Sequence, residues 1–386
     1  MKKICVITGS RAEYGLFYPL LKLLSMERGV KLQIVATSMH MSQKFGLTYR
    51  AIEADGFKIS AKIKFPLPDD CGTPVSIGRA IAAIAPVLEK LKPDVVVLLG
   101  DRFETFAAAT AAYALKIPVA HLHGGEITAG VFDEAFRHSV TKMSSLHFTS
   151  TEEYRRRVIQ LGESPGSVYN VGAIGLDNVR RAEFFSREEL GAQLGVTLSE
   201  NLACITFHPA MFEMAAPAAQ LKELFKALDR FPDLQVVFTL PNADRGAAEL
   251  IKAMHTYVKK NSARASAFTS LGQKRYLSLL NLSKIVIGNS SSGIIEAPSL
   301  ETPTVNIGTR QEGRTRPASV IDCPAETNAI ARAIKLGLSP FFAVKLRKPN
   351  PYGDGLTAPR IARILLRKAG RLGVKKSFFD LKYGKA

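Results

Sequence analysis

Residues 93–105 read PDVVVLLGDRFET. A proline ends the preceding helix, five apolar residues follow without a polar break, and glycine, aspartate and arginine then arrive together. An unbroken β-rich run of this length is a strand buried on both faces, as in a parallel sheet covered by helices. Working outwards, ICVIT (4–8), LQIVATS (32–38) and IPVAHL (117–122) have the same character, with helical stretches over 15–27, 76–91 and 104–115. The pattern restarts with LACITF (202–207), LQVVFTL (234–240), KIVIGN (284–289) and TPTVNIG (302–308), separated by helices over 221–229, 247–259 and 325–336. No short repeat is present; the repetition is architectural, two doubly wound α/β halves. The joint is expected near GAIGLDNVR (172–180), with one domain over 1–172 and a second over 173–356. The segment 357–386 opens with an amphipathic helix (357–371) and is expected to cross back onto the first domain. Two such Rossmann-like sheets facing a cleft bind ligands at the carboxyl ends of their strands.

The chain has 386 residues, 46% hydrophobic and 22% charged, which excludes a disordered or collagen-like polymer. No apolar run approaches 18 residues, so no membrane span is expected, and MKKICVITGS is too short in its apolar part for a signal peptide. Cys5, Cys71, Cys204 and Cys323 lie far apart without a CxxC pair, as expected of reduced cytoplasmic thiols. The net charge is +18, from 52 Lys and Arg against 34 Asp and Glu. That excess suits a nucleic-acid binder, a membrane-surface binder or an enzyme for anionic substrates. Twelve basic and two acidic residues in 339–386 give that segment +10, leaving +8 for the rest. The tail is expected to be a solvated face whose removal (373–386) leaves turnover intact.

The chemistry-bearing residues cluster after strands. TGSRAEYG (8–15) offers Arg11 to a phosphate, or is an ordinary βα turn; it lacks the GxGxxG of a dinucleotide site. GDRFET (100–105) presents Asp101, as a catalytic carboxylate or as a helix N-cap. HLHGGEITAGVFDEAFRHS (121–139) packs His123, Glu126, Asp133, Glu134, Arg137 and His138 into one loop and helix start. The spacing matches no standard zinc motif, and carboxylates with imidazoles are acid–base machinery. FHPAMFE (207–213) places His208 directly after a strand. GNSSSGIIEAPSL (288–300) sets Ser290, Ser291 and Ser292 before a helix, an anion cradle, with Glu296 one turn on for ribose hydroxyls. IGTRQEGRTRP (307–317) adds Arg310, Arg314 and Arg316 as phosphate contacts.

Together with MHMSQKFG (39–46), these strings resemble the hydrolysing UDP-N-acetylglucosamine 2-epimerases of sialic-acid and legionaminic-acid synthesis. The resemblance spans residues 8–314 and implies a fold like that of the B-type glycosyltransferases, GT-B, with the nucleotide on the second domain. It implies elimination of the nucleoside diphosphate from a UDP-N-acetylglucosamine-type sugar to a 2-acetamidoglycal. Hydration of that glycal then gives the free manno sugar, with no redox cofactor and no obligatory metal. It assigns catalysis to Asp101, Asp133, Glu134 and His208, and to Glu126 or His123, since many relatives carry glutamate where this chain has His123. Binding falls to Arg11, His40, Asn242, Ser290–Ser292, Glu296, Arg310 and Arg314. The family implies a homodimer or homotetramer with a UDP- or GDP-linked sugar as its partner. A glycosyltransferase of the same fold and a non-hydrolysing epimerase are the alternatives. A nucleic-acid partner is disfavoured, because Trp is absent and no recognition motif appears.

Overall fold

The computed structural model describes residues 1–128, 133–209, 216–241, 247–269 and 271–381. They divide into two compact units, one of residues 1–126, 133–178 and 355–381, the other of 127–128 and the described residues between 179 and 354.

The first unit is built on seven strands: β1 Lys2–Thr8, β2 Val30–Ala36, β3 Ile59–Lys62, β4 Val95–Leu99, β5 Val119–Leu122, β6 Leu146–Thr149 and β7 Val168–Asn170. All are parallel, in the order β3-β2-β1-β4-β5-β6-β7, with Val6 opposite Val97 at the centre. Successive residues of β1 enter different cores. Ile4 and Val6 join one cluster with Phe17, Leu20 and Ile361, while Cys5 and Ile7 join another with Ile84 and Ala108. Burial on both faces is why β4 can be VVVLL without a polar residue.

The second unit holds six parallel strands: β8 Leu202–Thr206, β9 Gln235–Thr239, β10 Ala265–Phe268, β11 Ile285–Gly288, β12 Thr304–Ile307 and β13 Val320–Cys323. Their order is β10-β9-β8-β11-β12-β13. At the end of β11 a Cβ on Gly288 would lie 1.9 Å from the Thr206 carbonyl, and its φ of +138° also requires glycine. Each sheet thus reverses its order once, between β1 and β4 and between β8 and β11, and such switch points are where open α/β sheets bind ligands. The two parallel sheets are the α/β, Rossmann-like halves expected from the sequence.

The helix Thr357–Lys368 belongs to the first unit. Asp177, fully buried, receives the Thr357 and Ala358 amides at 2.9 and 3.0 Å and so caps this helix from 180 residues away. Ile361, Ile364 and Leu365 then pack into the core beside the helix Arg11–Met26.

The tail is exposed over 375–381, as expected from its charge, but it is pinned to the first unit at one point. Lys376 Nζ lies 2.6 Å from Glu163 Oε2, a carboxylate also held by Lys142 at 2.6 Å and His147 at 3.0 Å. Glu163 and His147 are buried, and against that burial the hydrogen bonds from His147, Lys142 and Lys376 pull the Glu163 carboxyl down to about 2. The Phe378 ring covers Gly162, where a Cβ would approach it to 2.3 Å. A lysine whose partner lies 213 positions upstream carries no local sign of that pairing. Among the described residues no helix is long and apolar enough to cross a membrane.

Candidate functional site

In the first unit the carboxyl ends of β1, β4 and β5 carry the acidic loops. Ser10 caps the helix Arg11–Met26, accepting from the Glu13 amide, and leaves Arg11 exposed at the first helical position. Glu13 turns back to accept from the Gly9 amide at 2.6 Å, and burial raises its carboxyl to about 8. His40 is buried between Thr8 Oγ1 at 3.2 Å and Thr48 Oγ1 at 2.8 Å; burial lowers it to about 4, so it is neutral.

Asp101 does not cap the following helix. That helix starts at Phe103 with Arg102 in the cap position, and the Asp101 carboxylate pairs with Arg137. Arg137, 3% exposed, also donates to Glu134 Oε2 at 2.9 Å and to the Glu126 carbonyl at 2.7 Å. One guanidinium therefore gathers Asp101, Glu134 and the loop bearing Glu126, with fork geometry suited to several acceptors. Glu134 also meets His138 at 3.2 Å. Asp133 opens the same helix, Asp133–Met143, and is raised to about 6, first by burial and then by the Asp101 charge. Arg102, which the resemblance left unassigned, forms a 2.6 Å pair with buried Glu104 and lies in the field of Asp133.

The HGG loop is bent at His123, whose φ of +63° is left-handed and unfavourable for a residue with a Cβ. His123 Nδ1 sits 2.8 Å from Glu126 Oε1, and the Ile174 amide points at Nε2 from 3.4 Å. The Ile174 donor makes Nε2 the acceptor, so Nδ1 carries the proton and donates to Glu126. Ser150 Oγ donates to the same Glu126 oxygen at 2.9 Å. Thus His123 and Glu126, the two candidates for the loop's acid–base role, are hydrogen-bonded to each other. His121, by contrast, is fully buried, bonded to Gly100 O and Thr141, and ties β5 to β4.

In the second unit the switch point is held by Asn289, which sequence reading passed over beside its serines. Its amide brackets the His208 backbone, accepting from N at 2.7 Å and donating to O at 2.9 Å. The Asn289 carbonyl receives Arg310 Nη1 at 2.9 Å and Gln311 Nε2 at 2.8 Å. His208 is lowered to about 4 by burial and then by Arg310, which leaves it neutral at pH 7. Ser290, Ser291 and Ser292 follow, half-buried, but the helix they open is a single turn, Ser292–Ile295, and Ser291 makes no side-chain cap bond. The cradle expected there therefore rests on hydroxyls and loop amides, not on a long helix dipole. Tyr276, from the helix Gly272–Leu282, brings its phenol near Ser292 and Glu296; no motif marked it. Arg316 is not a phosphate contact: it grips Asp322 at 2.9 Å and the Gln311 carbonyl at 2.7 Å, closing its own loop. Arg314 lies in that loop with Nε buried. Asn242 lies outside the described residues.

These two switch-point sites sit on a chain matched over residues 22–366 by the model of the UDP-N-acetylglucosamine 2-epimerase family. The chain belongs to that family. A Campylobacter jejuni protein named GDP/UDP-N,N'-diacetylbacillosamine 2-epimerase (hydrolyzing) is 39% identical over 336 residues, 86% of this chain and 87% of its own. Polysialic acid biosynthesis protein P7 of Escherichia coli is 39% identical, covering 99% of this chain and 98% of its own. These relatives place the chain in the family's hydrolysing branch. Among solved structures, the Neisseria meningitidis UDP-GlcNAc 2-epimerase bound to UDP-GlcNAc superposes with TM-score 0.79 at 20% identity, over 95% of this chain and 100% of that one. A Listeria monocytogenes member reaches TM-score 0.81 at 19% identity, over 96% of each chain. The family fold is therefore retained where most of the sequence is not.

Proposed function

We propose that this family member is a hydrolysing 2-epimerase that acts on a UDP- or GDP-linked 2-acetamido sugar, takes it through a 2-acetamidoglycal and releases the free manno sugar. The observation that carries this reading is the presence, in one unit, of two groups fit for proton transfer. Asp133 is raised to about 6 beside Asp101, and the strained His123 is oriented by buried Glu126. Removal of the C2 proton and hydration of the glycal from the other face require two such groups. Asp133 acts as one and the Glu126–His123 pair as the other, with His123 holding the Glu126 carboxylate through its Nδ1 hydrogen. Asp101 and Glu134, both paired with Arg137, hold the helix start and its field in place. The two units are the working domains. The second binds the nucleotide through Arg310, Arg314, the hydroxyls of Ser290–Ser292 and Glu296, with His208 neutral beside Arg310. Arg11 and His40 serve the diphosphate side of the first.

The sugar released is N-acetylmannosamine or 2,4-diacetamido-2,4,6-trideoxymannose, a precursor of sialic or legionaminic acid, as the names of the relatives suggest. Four cysteines without a disulfide among the described residues support a cytoplasmic enzyme, and the family supports a homodimer or homotetramer. Incubation with UDP- and GDP-linked N-acetylglucosamine and 2,4-diacetamido-6-deoxy sugars, without acceptor, tests the reading. A free sugar by mass spectrometry supports it; a nucleotide-linked product, or none, opposes it.

A further inference from the structure

On the first unit a groove of about 430 Å³ runs between the edge strand β7, the helix Glu152–Gln160 and the helix Thr357–Lys368. Its volume lies in the range of small-ligand sites. Three arginines, Arg360, Arg363 and Arg367, line it from one face of the last helix, at spacings of three and four. Arg155 faces them from the other helix. We propose that this groove binds a small polyanion carrying at least two phosphoryl groups.

The charge pattern argues against an ordinary solvated face. The helix Thr357–Lys368 contains no acidic residue. Like charges at this spacing weaken a helix, and Arg360 sits in its first turn, where the dipole disfavours cations. Glu152 is the groove's one carboxylate, and it is already bonded to Arg155 at 3.2 Å. Two of the cations are fixed as walls by edge-strand carbonyls: Arg155 Nε donates to Val168 O at 3.0 Å, and Arg360 Nη1 to Val171 O at 3.2 Å. Arg363 and Arg367, one helical turn apart, are exposed, and among the described residues neither has a hydrogen-bond or ion-pair partner. One phosphate fills one guanidinium fork; a di- or triphosphate spans the pair. None of the lining residues belongs to the acid–base loops or the serine loop, so this site does not rest on the proposed reaction.

Equilibrium dialysis with inorganic tripolyphosphate at low salt is the test. The wild-type protein should take up one more tripolyphosphate per chain than Arg363→Gln/Arg367→Gln, while both keep the same turnover and melting temperature. Comparing stoichiometries removes any contribution from the catalytic site. The Arg363→Lys/Arg367→Lys protein keeps the charge but loses the forks, and should bind at the groove at least tenfold more weakly. Equal stoichiometry in wild type and the glutamine variant would overturn the proposal. Undiminished binding by the lysine variant would also overturn it, by showing a diffuse charge effect instead of a built site.

Discussion

His123 donates its Nδ1 hydrogen to Glu126 across 2.8 Å while its own backbone is held at φ +63°. The strain and the buried partner together mark His123 as a working group. His123→Ala should lower kcat by about 10²–10⁴-fold, the usual contribution of a general acid or base. Glu126→Gln should lower it less, because the amide oxygen can still accept the Nδ1 hydrogen while the negative charge is lost. Near-normal turnover in both variants would remove this loop from the mechanism.

Asp133 carries a second pH signature. With a folded-state value of about 6 against an ordinary 3.8, it is protonated below pH 6, so a base at this position loses activity there. The same shift makes folding stability fall as pH rises from 3.8 through 6, since the folded state holds the proton more tightly. Asp133→Asn should therefore melt higher than wild type at pH 7 while losing turnover. Parallel melting and kinetic profiles of the two proteins check both signs.

Glu13 separates structure from chemistry. Burial raises it to about 8, so at neutral pH it is largely protonated while accepting from the Gly9 amide. Its favourable contribution is complete below pH 4.5 and is lost as pH rises to 8. Glu13→Gln should match wild type near pH 5 and become progressively the more stable protein towards pH 8, with turnover unchanged. Melting temperatures across that range read the difference.

Removal of 373–386 should destabilise the first unit. It takes away Lys376 from Glu163 and Phe378 from Gly162. Loss of one charge-assisted contact to a buried carboxylate costs about 1.5–3 kcal/mol. Calorimetry of the truncated chain should show a lower melting temperature. The Glu163 contribution in the full chain is present above pH 4.5 and is lost as pH falls towards 2, the direction of its depressed value.

What could be read ahead of the structure follows burial. β4 and β8, covered on both faces, are unbroken apolar runs and announce themselves. β3 (ISAK) and β13 (VIDC) are edge strands with half-exposed, polar-interleaved residues, and β6 (LHFT) carries His147 for a buried hydrogen bond to Glu163; none resembles a core strand in isolation. The site shows the same division. Asp133, Glu126 and His208 stand out because chemistry-bearing residues were dense after strands. The roles of Arg137, Asn289 and Tyr276 depend on partners brought near by folding, and Arg316 was misjudged because its partner Asp322 lies on the next strand.

In the proposed reaction C2 proton exchange is coupled to release of a free sugar. Turnover of the accepted nucleotide sugar in D2O, followed by proton NMR and mass spectrometry, tests that coupling directly. The expected products are equimolar nucleoside diphosphate and a free manno-configured sugar carrying one deuterium at C2. A free sugar that keeps its original C2 hydrogen and gluco configuration, or deuterium found only in a nucleotide-linked product, would contradict it.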